Sequence, residues 1–223
     1  MKIWIYKAPI LKEKIISGLN DKFTQDGFKY KKTMNEFVRS QGDFSYKFYI
    51  EQLAWSSSYS LDIQLYISQK KIETILKKII GKWRHNITMG QDIGRIYNSP
   101  DGREIVNGSL SIWLYQNEDV EAAIESLEWY YNDIAKPYFQ QYQTLEAVDD
   151  IINNPPFNHC PAYVGGNLDN RCMKGLIVAR LVDNPRYNEL VAIYDEAIKE
   201  TMNEVSIENY YKVREYLMYN KIK

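Results

Sequence analysis

Cysteine and histidine are nearly missing: Cys160, Cys172, His85 and His159 are all there are among 223 residues. Two thiols are too few for a disulfide-stapled secreted fold and suit a reducing compartment. The only grouping of soft ligands, His159 and Cys160 with the distant Cys172, lacks the two spaced ligand pairs of a structural zinc site, so no metal is expected. The sequence around the cysteines also lacks the signatures of a thiol nucleophile. No glycine-rich phosphate loop is present: Gly81-Lys82 has no upstream glycine, and no G-x-G-x-x-G follows a strand. No cofactor is therefore implied. No 18 apolar residues run together, and the apolar opening is broken by Lys7 and Pro9. Neither a membrane span nor a signal peptide is expected, which places the chain in the cytoplasm. An excess of one charge is lacking too, with 28 Lys and Arg against 29 Asp and Glu. Nonspecific nucleic-acid binding is thus disfavoured. The local lysines 70, 71, 77, 78 and 82, followed by Trp83, Arg84 and His85, read as a solvated helix face.

Aromatic residues are abundant, with 19 Tyr and 5 Trp, side chains that serve a core and a partner surface equally well. The clearest pattern lies between Phe44 and Ser68. Phe44, Tyr46, Phe48 and Ile50 share one face of a strand, and Tyr59, Leu61, Ile63, Leu65 and Ile67 share one face of the next. Even-numbered core residues in one arm and odd-numbered ones in the other require an even-numbered connection at the Trp55–Ser58 turn.

Around this hairpin the chain reads as α+β. An edge strand is expected at Lys2–Tyr6. Pro9 then opens a helix with the stripe Leu11, Ile15, Leu19 and Phe23, which ends at Gly27. Short strands follow at Phe28–Tyr30 and Asn35–Arg39. Lys71–Ile80 is a second helix expected on the apolar sheet face. Short strands are expected at Ile93–Tyr97 and Arg103–Val106, and a further one at Leu110–Leu114. Asn117 should cap a long helix that Pro137 kinks or ends near Ala135. Leu145–Ile152, Met173–Val182, the segment after Pro185, and a helix capped by Ser206 complete the pattern. The proline-containing stretch Asn153–Asn167 is the candidate for a boundary or functional loop. The expected architecture is an antiparallel sheet of about five or six strands with helices on one face. It forms a domain over 1–142, with residues 143–223 as a helical extension packed on it. The acidic pairs Asp149-Asp150 and Glu118-Asp119 read as surface.

The run Asp26-Gly27-Phe28-Lys29-Tyr30-Lys31-Lys32, then Asn35-Glu36-Phe37-Val38-Arg39, then a strand ending Ile50-Glu51-Gln52, resembles the opening of a family of uncharacterised bacterial proteins of the domain-of-unknown-function type. Some of those relatives are associated with toxin-immunity gene clusters. The resemblance covers Ile10 to Ile67. It implies an α+β fold, brings no catalytic residues with it, and leaves function open, with an immunity-type role as one reading.

No catalytic residue stands out. The expected binding surface is the polar face of the central hairpin: Lys47, Tyr49, Glu51, Asp62, Gln64 and Tyr66. Two tyrosines among both signs of charge supply anchors and orienting hydrogen bonds. A protein-interaction module with a protein partner is the preferred reading. The alternative is a small enzyme or small-molecule-binding protein without a recognisable catalytic motif. Oligomeric state is left open.

Overall fold

Leu11, Ile15, Leu19 and Phe23 recur every four residues, and α1 (Ile3–Gln25) turns that row into a fully buried stripe. The computed structural model describes residues 3–55, 57–81, 87–98, 110–116, 118–153, 167–200 and 203–222, with side chains from residue 10 onward. Helix α1 begins six residues before Pro9, so the expected edge strand at Lys2–Tyr6 is helix from Ile3. A short apolar run has no decisive period of its own, and extending an existing helix is cheaper than nucleating a separate element.

Gly27, with φ of 82°, turns the chain out of α1. Then come β1 (Lys29–Lys31), β2 (Glu36–Gln41), β3 (Phe44–Ala54) and β4 (Tyr59–Gln69). Strands β1 and β2 pair antiparallel with Tyr30 opposite Phe37, and β2 and β3 with Phe37 opposite Phe48. Every apolar position assigned to the two arms of the hairpin is buried, and the intervening positions from Lys47 to Glu51 and from Asp62 to Tyr66 are half-buried. Two further strands, β5 (Met89–Asp92) and β6 (Ile112–Leu114), join the far side of β4 to complete a six-stranded sheet. The fold is an open antiparallel sheet with helices, α+β as expected.

Two local readings change. Ile93–Asn98 is a short helix, α3, rather than a strand, because Asp92 Oδ1 accepts from the Gly94 amide at 2.8 Å and starts a helical turn. The companion strand at Arg103–Val106 and the cap at Asn117 lie outside the described residues. Pro137 does not end its helix. The helix α4 (Asp119–Trp129) widens into a π-helical stretch at Tyr130–Ala135, where the Lys136 amide donates to the Tyr131 carbonyl, and continues as α5 (Lys136–Gln141). Proline has no N–H for the ordinary ladder and its ring crowds the preceding turn, so the wider turn accommodates it.

The chain divides into two compact units, one holding 3–66, 91–98 and 110–140, the other 67–81, 87–90 and 141–222 of the described residues. In the first, Phe23 stacks on Phe37 and meets the tilted ring of Tyr131, each at 4.2 Å between centroids, while Phe28 and Phe48 meet it edge-on. These rings come from α1, the apolar sheet face and the π-helical stretch, so the unit's helices cover that face.

Asp26, just past α1, ties the same layers together. It accepts from the Tyr131 hydroxyl at 2.7 Å and from Lys136 Nζ at 3.1 Å. The Tyr131 hydrogen bond, reinforced by Lys136, holds its carboxyl below the usual range despite some desolvation. A depressed folded-state pKa contributes stability that is present above the unfolded value near 4 and is lost as pH falls through the folded value. Asp26→Ala should cost about 1–3 kcal/mol at pH 7. Urea titrations of both proteins should show that difference shrinking below about pH 4.

In the second unit, α2 (Lys70–Ile80) packs against α7 (Leu168–Leu181) and α9 (Glu204–Tyr219). Helix α7 is buried almost all round, from Arg171 to Ala179, and encloses the charged Arg171 and Lys174 along with its apolar side chains, with α6 (Leu145–Asn153) and α8 (Tyr187–Ala197) also against it. Asn203 rather than Ser206 caps α9, accepting from the Ser206 amide at 3.2 Å. Among the described residues no helix is long and apolar enough to cross a membrane.

Candidate interaction surface

Strand alternation places Tyr49 on β3 and Tyr66 on β4 on the side of the sheet away from α1, and their rings meet at 6.2 Å. Lys47, Glu51, Asp62 and Gln64 share that side, so the six expected binding residues do form one surface, all of them half-buried. Glu36 on β2 lies opposite Tyr49, and Val38 lies opposite Lys47. Burial pushes the Tyr49 phenol above its ordinary value, with the Glu51 and Glu36 charges adding to the effect. Burial, then Tyr49 and the same two carboxylates, does likewise for Tyr66. Both hydroxyls therefore stay protonated at neutral pH and can donate to a carbonyl or carboxylate. Asp62 accepts a hydrogen bond from the Ser111 hydroxyl, which continues the β4–β6 pairing in which Leu61 faces Ile112.

That pairing extends the surface beyond the expected residues. Trp113 on β6 stands opposite Ser60, whose hydroxyl accepts from Trp55 Nε1 at 3.2 Å. The indoles of Trp55 and Trp113 lie 6.2 Å apart, yet they remain 50% and 46% exposed. Leu53, on the same register of β3, is exposed beside them, and Tyr115 is 62% exposed just beyond β6. The signal for Trp113 and Tyr115 was their place on the polar register of their strand; the signal for Trp55 was weaker, since a turn carries no period.

The other candidate groups separate into structural roles. Cys172 is fully buried, and burial pushes its thiol up to about 12, leaving no thiolate at neutral pH. Lys174 is 2% exposed and donates to the Ile87 carbonyl at 2.6 Å, with burial lowering its ammonium to about 8. Asp149 is not surface: it is buried and accepts from Asn153 Nδ2 and Asn184 Nδ2, each at 2.6 Å. Lysines 70, 71, 77 and 78 are exposed on α2, and Lys78 Nζ donates to the Tyr216 hydroxyl of α9 at 3.0 Å. His85, His159, Cys160, the segment 82–86 and most of the proline-containing stretch lie outside the described residues. Among the described residues no three His, Cys, Asp or Glu side chains gather as metal ligands. Comparison of the chain with protein-family models, curated proteins and solved structures finds no match.

Proposed function

We propose that this is a cytoplasmic protein-interaction module of immunity type, which holds a protein partner on the sheet face bearing Tyr49, Tyr66, Trp55 and Trp113. The observation that carries the reading is the half-exposed Trp55–Trp113 pair, set on the register of the sheet that faces away from α1. Indole rings left in water at the end of a sheet lose apolar burial that a partner would restore, and tryptophan is the residue most enriched among interface anchors. The tyrosines next to them add hydroxyl donors, while Lys47, Glu51 and Asp62 set register through charge. The near-neutral net charge of −1 supports a protein rather than a polyanion as partner. The immunity-type assignment draws on the resemblance of the Ile10–Ile67 segment.

The test is affinity capture from the native host with the wild-type chain and with a Trp55→Ser/Trp113→Ser double variant, both first shown to melt alike. One partner should come down with the wild type, and the variant should bind the purified partner at least tenfold more weakly, about 1.4 kcal/mol or more. Equal binding by a folded variant would remove this face from the interface.

A further inference from the structure

The sheet ends at β1, whose outer edge pairs with no strand among the described residues. Beside that edge runs a cleft of about 670 Å³, bounded by Lys12, Ile16 and Asn20 from successive turns of α1 and by Tyr30 and Lys32 across from them. Eight residues of helix rise about 12 Å, the reach of three to four residues of extended chain. Within the cleft Lys12 and Lys32 offset Glu13 and Asp21, and Lys32 lies 3.8 Å from Glu13. Its own walls are thus charge-balanced.

Alternation along β1 sorts the two sides of the edge. Tyr30 faces the helix side, its ring 5.1 Å from Phe37, and its hydroxyl is held by Asn35 at 2.8 Å. Lys29 and Lys31 point to the opposite side, both are exposed, and neither makes an ion pair among the described residues. Lys47 on β3 adds to them, while Glu36 opposite Lys31 subtracts. The edge stays positive.

We propose that β1 takes up an extended segment of a partner protein by strand addition, and that this segment alternates acidic, apolar, acidic. Its backbone would satisfy the open hydrogen-bonding groups of the edge. Its apolar side chain would enter the cleft against Ile16 and Tyr30, and its carboxylates would lie beside Lys29 and Lys31 as cross-strand pairs. A second copy of this chain is a poor occupant, because β1 against β1 sets lysine against lysine. The same charges that keep the edge from pairing with itself select an acidic strand. This inference is independent of the reading of the tryptophan-bearing face, which the variants below leave intact.

The experiment uses the ¹⁵N-labelled full chain and two acetylated, amidated pentapeptides, EVEVE and KVKVK, with free glutamate as a third probe. EVEVE should shift the amides of residues 29–31 saturably and bind about tenfold more tightly than KVKVK, the effect of exchanging two attractive cross-strand pairs for two repulsive ones. In a Lys29→Glu/Lys31→Glu variant with a preserved spectrum the preference should invert. Unmoved edge amides with EVEVE would overturn the proposal, as would equal binding of KVKVK. Matching shifts from free glutamate would make the cleft a small-ligand site and overturn strand addition.

Discussion

Phe23→Ala is expected to destabilise the sheet-bearing unit by about 3–5 kcal/mol, measured by chemical denaturation, the largest effect of any single truncation in that unit. Phe23 is fully buried, and its ring meets four others: Phe28, Phe37, Phe48 and Tyr131. Those rings belong to the turn after α1, to two neighbouring strands and to the π-helical stretch. The cavity left by the deletion is therefore walled by elements already held by sheet pairing and helix packing, and cannot close by moving one of them. The aromatic contacts are lost along with the transfer free energy. Phe23→Leu, which refills most of the space, should recover more than half of the loss.

Gly175→Ala should destabilise the helical unit by about 2–4 kcal/mol, although alanine is the better helix former by about 1 kcal/mol. A β-carbon there would sit 2.6 Å from Tyr194 Oη and 2.7 Å from Asn153 Oδ1. Those two atoms are hydrogen-bonded to each other, and Asn153 Nδ2 donates to the Gly175 carbonyl at 3.0 Å and to Asp149 Oδ1 at 2.6 Å. Tyr194 and Asn153 are buried, so neither can swing into solvent. The new methyl group must either strain α7 away from α8 or separate the Tyr194–Asn153 pair, and a buried polar atom stripped of its partner costs about 1–3 kcal/mol. A melt of Gly175→Ala that matches or exceeds the wild type would show that the network relaxes freely. Tyr194→Phe, which removes one oxygen, should relieve the crowding, so Gly175→Ala/Tyr194→Phe should be less destabilised than the sum of the two single variants.

How far the fold could be read from the residues is clear at the hairpin. Alternation from Phe44 to Ile50 and from Tyr59 to Ile67 determined which side chains are core and which form the opposite, polar face, because a strand's period of two assigns its faces locally. The four-residue spacing of Leu11, Ile15, Leu19 and Phe23 did the same for α1. The six polar-face residues could be chosen on this basis, and they do lie together. Tertiary structure alone decided what joins them. Pairing of Leu61 with Ile112 brings Trp113 over Ser60 and next to Trp55, a contact across some sixty residues of chain that no local period encodes. The same limit explains why Asp149 looked like surface. Its burial depends on Asn153 and on Asn184, which sits after α7 and closes over it. It explains α2 as well, since an amphipathic helix specifies that one face is buried but not against what, and here α7 and α9 supply the cover. Propensity and period act over a few residues, whereas the identity of a packing partner depends on which apolar surfaces remain unburied once the whole chain has collapsed.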